Sequence, residues 1–194
     1  NVIPEFLEVF QPGRVSIGLL HANVGADTGH ESYAPCTLED LSNVGINYWA
    51  LGHVHTRRQY ELENGVAVYP GNIQGRHINE PGPRGVYLVS MTEDGKIEQS
   101  FRAVDLIRWK EIYVDISDLD DNQTIQSLED AIEEQIESAL ADADERDLVY
   151  RLSLTGRGPL HTVINGSEYN DILISKLNDQ YTNRKPFAYC DRVT

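Results

Sequence analysis

Cysteine is almost missing from this chain: Cys36 and Cys190 are the only two. Two thiols cannot build the disulfide framework of a small secreted domain, so a reduced, cytoplasmic protein is expected. Cys36, in Tyr33-Ala34-Pro35-Cys36-Thr37, reads as structural. Long apolar runs are missing too. No stretch approaches the ~18 consecutive apolar residues of a membrane span, and no membrane partner is expected. Positive charge is short: 16 Lys and Arg face 31 Asp and Glu, for a formal net charge of −15. That balance speaks against a general nucleic-acid binder, which carries a basic face. The first residue is Asn1 rather than Met, so the lack of a leader-like stretch carries no weight.

What is present is an ordinary globular composition, 40% hydrophobic and 24% charged over 194 residues. That length accommodates one large domain or two small ones. Charge is unevenly spread. From Asp118 to Asp147 there are twelve acids and one base, Arg146. From Leu51 to Ser90, three acids stand against Arg57, Arg58, Arg76 and Arg84 with three histidines. A locally basic patch in an acidic chain suits a phosphodiester substrate reaching one focused site, although four arginines in such a window are also compatible with simple scatter.

The basic window contains Gly52-His53-Val54-His55, preceded by the apolar run Ile46 to Leu51. The run reads as a short buried strand. Residues i and i+2 of an extended chain project to one side, so His53 and His55 are expected to offer two imidazoles to one volume. Gly52 leaves room for close approach. Neutral imidazoles are common ligands of divalent metals. For an arbitrary His-x-His the commoner reading is two polar residues at a strand end. Two further strand ends shift the balance: Arg14 to Leu20 closing on His21, and Val68-Tyr69 running into Pro70-Gly71-Asn72-Ile73-Gln74-Gly75-Arg76-His77. In open α/β sheets ligands gather beyond the carboxyl ends of strands.

The ordered set "LLHANVG", "YWALGHVH" and "VYPGNIQGRH", within about Ser16 to Val89, resembles the last motifs of the calcineurin-like metallophosphoesterases. The resemblance is to their DNA-repair exonuclease branch, the SbcD-like nucleases and above all the YhaO-like proteins. It implies the C-terminal part only, because the earlier Asp-x-His, Asp and Gly-Asn-His motifs are not found. It further implies two divalent metal ions, by preference Mn²⁺. His21 and His53 would share one ion and His55 would serve the other, with the remaining ligands lying outside this sequence. Asn72, Arg76 and His77 are implied as substrate-binding residues, Asn72 standing where SbcD-like proteins commonly have Ser or Thr. DNA is the implied substrate, an SMC-like ATPase of the SbcC/YhaN kind a possible partner, and a homodimer a possible state. No residue of this chain is singled out as catalytic beyond metal ligation, and the chain alone is expected to be inactive. A DNA- or ATPase-binding module without catalysis, or a phosphoesterase of small nucleotides, remains open.

The fold class expected is α/β (α+β), with residues 1–105 forming the C-terminal half of a two-sheet metallophosphoesterase sandwich and 106–194 a small α/β capping domain. Expected elements in the first part are a helix before Phe10 and a helix from Thr37 capped by Thr37 and ended by Gly45. A hairpin follows around Asn64-Gly65, then strands Gly85–Met91 and Ile97–Val104. The second part reads β-α-β-α-β. It has a strand over Leu106–Ile116, a helix over Thr124–Ala143 with its acids on a solvated face, and a strand over Asp147–Thr155. A helix over Glu168–Leu177, with Tyr169, Ile172, Leu173 and Leu177 inward, precedes a strand over Lys185–Cys190. Arg157 and His161 are candidate DNA contacts, though a turn arginine and a half-buried histidine are the commoner roles. His30 and Glu31 read as surface residues.

Overall fold

A computed structural model describes residues 3–25, 34–117, 125–158, 160–164 and 167–194. The expectations for His30 and Glu31 fall outside these residues. The chain divides into two compact units: Asn1–Ile73 with Arg84–Val104, and Gln74–Pro83 with Asp105–Thr194.

The first unit is built on a four-stranded mixed sheet. Its strands are β1 (Ile17–His21), β2 (Tyr48–Gly52), β3 (Arg58–Leu62) and β4 (Gly65–Tyr69), in the order β1-β2-β4-β3. β1, β2 and β4 run parallel, and β3 is antiparallel to β4 through the Asn-Gly hairpin. β1 begins three residues later than the sequence suggests. Alternation sends Trp49, Leu51, Ala67 and Tyr69 to one face. There they pack with α1 (Ile3–Val9) and α2 (Leu38–Val44). α2 carries the expected Thr37 cap, completed as a capping box by Asp40, and ends on Gly45 in the left-handed conformation at φ 82°. Each half of the box satisfies an otherwise unpaired N–H at the helix start. On the other face Tyr48, Val66 and Val68 are covered by Tyr87, Val89, Met91 and Ile97 of the antiparallel ribbon β5 (Gly85–Met91) and β6 (Ile97–Ala103). The ribbon leaves two β1 side chains of that face open: Ile17 is 64% and Leu19 81% exposed.

The second unit is a parallel three-stranded sheet, β7 (Ile107–Asp115), β8 (Asp147–Thr155) and β9 (Ala188–Val193), ordered β7-β8-β9. α3 (Ile125–Asp142) joins the first pair, α4 (His161–Ile164) and α5 (Ser167–Tyr181) the second. One core holds them: Ile112, Leu148, Tyr150 and Leu152 from the strands, Leu128, Ile132 and Ile136 from α3, Leu173 and Leu177 from α5. The acids of α3 lie outside this core, as its 3.6-residue periodicity requires. Ile172 does not join it. At 61% exposure it faces solvent, and the inward stripe of α5 runs through Leu173, Leu177 and Tyr181 instead. α4 carries no clear apolar period and was not legible. The segment Gln74–Pro83 is stitched to β7. The Gln74 amide donates to the Ile107 carbonyl (2.7 Å), the Trp109 indole to the Gly75 carbonyl (3.1 Å) and the Gly82 N–H to the Trp109 carbonyl (3.1 Å).

Taken together the elements make a mixed α/β structure. No helix among the described residues is long and apolar enough to cross a membrane.

Candidate metal centre

Parallel pairing places His21, the last residue of β1, in register with Gly52, the last of β2. The His21 ring lies over the Gly52 backbone so closely that a Cβ there would stand 2.8 Å from Nδ1. The glycine is thus required by the histidine beside it. His53 follows at once, and its ring centroid lies 5.2 Å from that of His21, with the planes at 76°. Two imidazoles from two strand ends therefore converge.

The backbone reason differs from the one alternation supplies. The strand ends at Gly52, and His53 has φ 95°. It leaves the sheet in a left-handed turn, so His53 and His55 are not an i, i+2 pair of an extended chain. A non-glycine residue held there costs on the order of 1–3 kcal/mol, and such residues concentrate at functional sites.

His55 and Asn72 are fixed by one buried cation. The Arg84 guanidinium donates to the His55 carbonyl (2.6 Å) and to Asn72 Oδ1 (3.0 Å). The Asn72 N–H donates to the same carbonyl (3.2 Å). Gly71, at φ 81°, lies where a Cβ would meet the His55 oxygen at 2.6 Å. Sequence reasoning counted Arg84 only as part of a basic window; its 7% exposure shows a brace rather than a substrate-facing charge. A second brace also went unnoticed. The Tyr69 hydroxyl donates to the Ala22 carbonyl (2.6 Å) and accepts from the Val24 N–H (3.0 Å), holding the turn that follows His21. Burial pushes its pKa up to about 12, so it stays a donor. An aromatic with a polar tip inside a buried strand was the available signal for it. Cys36 is structural in the sense expected: it is buried, its N–H donates to the Asn23 carbonyl, and burial raises its thiol pKa.

Arg76 and His77 belong to the second unit. The Arg76 N–H donates to the buried carboxylate of Glu80 (2.9 Å), and His77 Nε2 lies 3.7 Å from the other carboxylate oxygen. The Arg76 side chain is exposed, and among the described residues no acid pairs with its guanidinium. Glu80 thus shapes the backbone of this loop and leaves the arginine head outside.

The donor set fits the nitrogen part of a divalent metal site. No group of three His, Cys, Asp or Glu among the described residues is arranged to hold an ion. Two converging imidazoles fall short of the four to six donors such ions take.

Residues 109–190 match the family described as "Metallophosphoesterase YhaO, middle domain". The chain is 41% identical over 102 residues to the "Uncharacterized metallophosphoesterase YhaO" of Bacillus subtilis (strain 168). The aligned part is 53% of this chain and 25% of that protein, so the chain spans about a quarter of the relative it matches. Both similarities support a metallophosphoesterase relationship over part of the chain.

Proposed function

We propose that this chain is part of a metal-dependent DNA exonuclease or related phosphodiesterase of the SbcD/YhaO-like type. The observation that carries the reading is the His21–His53 pair, two imidazoles brought together at parallel strand ends by a left-handed residue. His21 and His53 would hold one divalent ion and His55 the other, Mn²⁺ being the first choice. Such ions lower the pKa of a water and clamp the phosphate oxygens. Carboxylate ligands come from outside the described residues. The uncovered Ile17 and Leu19, on the same side of β1 as His21, support a further layer over this face in the complete protein. Asn72, Arg76 and His77 engage substrate, with Asn72 pre-oriented by Arg84. DNA is the substrate class, an SMC-like ATPase and a second copy of the protein are the partners, and the compartment is cytoplasmic. In domain terms, residues 1–105 are the phosphoesterase part and 106–194 the capping part.

One observation favours a second reading. The family match lies wholly inside the second unit, consistent with a binding module that needs no catalysis of its own.

The test is Mn²⁺ titration by calorimetry, with bis-nitrophenyl phosphate hydrolysis measured in parallel. Weak binding by this chain, lost in His21→Ala and His53→Ala, and turnover only in the complete protein are expected. Mn²⁺ affinity unchanged in both variants would overturn the assignment. Turnover in the complete protein that survives His55→Ala would favour the binding module.

A further inference from the structure

The three strands of the second unit are parallel, so their carboxyl ends open on one edge of the sheet. A small cavity of about 100 Å³ lies there. Its apolar floor is Ile116, Leu154 and Ile164, beyond β7, within β8 and at the end of α4. Its polar wall is His161 and Asn170, with Gly156 and Thr194 following β8 and β9. We propose that this cavity recognises a phosphate monoester group, a function independent of the candidate metal site proposed in the first unit.

Four observations carry the assignment. The edge is the one where open parallel sheets bind ligands. The volume is far below the ~300–1,000 Å³ that encloses a whole drug-sized ligand. It corresponds to about three waters at ~30 Å³ each, enough for one phosphoryl group with the remainder of the ligand outside. The second observation is local charge. The chain holds 31 acids, yet none falls between Leu148 and Ser167, where Arg157 and His161 stand; Arg151 in the same stretch is paired with Asp191 (2.8 Å) and does not line the cavity. Asp115, at the end of β7, does not line the cavity; its carboxylate accepts from the Ser117 N–H.

The third observation is an unsatisfied group. Asn170 Oδ1 is buried and has no hydrogen-bond partner among the described residues. Leaving such an atom buried and unpaired is unfavourable. Amide oxygen and nitrogen exchange places by rotation about the terminal bond, so Asn170 can present its NH₂ to an anion. The fourth is the seating of the loop. Gly156 has φ 84°, and a Cβ there would collide with Ser117 Oγ and the Asp115 carboxylate. The Arg157 N–H donates to Ser117 Oγ (3.1 Å). That bond fixes the backbone beside the lining Gly156 and leaves the exposed guanidinium without an acid partner among the described residues. Arginine matches phosphate with a bidentate fork.

Phosphate monoesters reach such a cavity either as small phosphates or as the phosphorylated end of an oligonucleotide. The test titrates the full 194-residue chain with inorganic phosphate, AMP, and one oligonucleotide bearing either a 5′-phosphate or a 5′-hydroxyl. Amide shifts are followed by NMR. Expected are shifts centred on Gly156, His161 and Asn170, with affinity at least tenfold weaker in His161→Gln and Asn170→Leu. Phosphorylated DNA binding tighter than inorganic phosphate and AMP identifies a nucleic-acid end; equal affinities identify a small phosphate. Absence of shifts in the wild-type chain at millimolar phosphate, or shifts centred elsewhere, would overturn the proposal even if the variants fail to fold. Equal binding of the 5′-phosphate and 5′-hydroxyl strands with no response to inorganic phosphate or AMP would also overturn it.

Discussion

The two units are similar in size but not in closure. Of the large hydrophobic side chains exposed among the described residues, ten lie in the first unit and four in the second. The second unit has one continuous core, with both long helices on the strands that flank them. The first is layered, and its ribbon covers the β2 and β4 columns but not β1. The paired histidines stand in the unit whose surface is unfinished, and the family match stands in the unit that is finished.

A cavity at the centre of the closed core should cost the most stability. Ile132 is fully buried, and Ile132→Ala should cost about 2–5 kcal/mol, read from urea unfolding. A cost under about 1 kcal/mol would show that the core is not continuous there. In the first unit the matching site is Gly18, where a Cβ would collide with the fully buried Trp49 ring. Gly18→Ala should destabilise by about 1–3 kcal/mol through overpacking, with near-ultraviolet circular dichroism of the indole changed. An unaltered spectrum would mean that Trp49 is loosely held.

Alkaline pH sharpens the contrast. Cys190 in the second unit has its pKa raised from 9.0 to about 11, with burial the main cause. Its thiol therefore loses its proton first in the unfolded chain. The resulting stability is complete below pH 9 and is lost as pH rises through 11, at no more than about 1.4 kcal/mol per pH unit. Cys190→Ala should flatten the slope of unfolding free energy between pH 9 and 11. A slope identical to wild type would refute the coupling. The smallest effect is at the unfinished edge. Leu19→Lys should leave this chain's stability within about 0.5 kcal/mol, because Leu19 is already exposed, yet lower the melting temperature of the complete protein. Equal effects in both would mean that nothing covers β1.

Much of this architecture was legible because local signals agreed. Asn64-Gly65 set the hairpin, Thr37 and Gly45 bounded α2, and alternation at Leu148, Tyr150 and Leu152 marked β8. Ile172 misled because apolar character alone does not fix which side of a helix a residue occupies. Within the candidate site, the histidines stood out by type, but the spacing argument that paired His53 with His55 failed at the left-handed residue 53. Dihedral angles of non-glycine residues leave no trace in composition. The braces Arg84 and Tyr69 were hidden for another reason: each acts across distance, Arg84 on a residue 29 positions earlier and Tyr69 on one 47 earlier. No local pattern encodes such contacts.

The left-handed backbone of His53 also bears on how this position tolerates change. Glycine occupies that region without steric cost, so His53→Gly relieves the backbone while deleting the imidazole. A library selected only for folding would therefore enrich glycine at 53, and one selected for metal capture would retain histidine. Under the metal role proposed for His53, folding and binding would select different residues at this position.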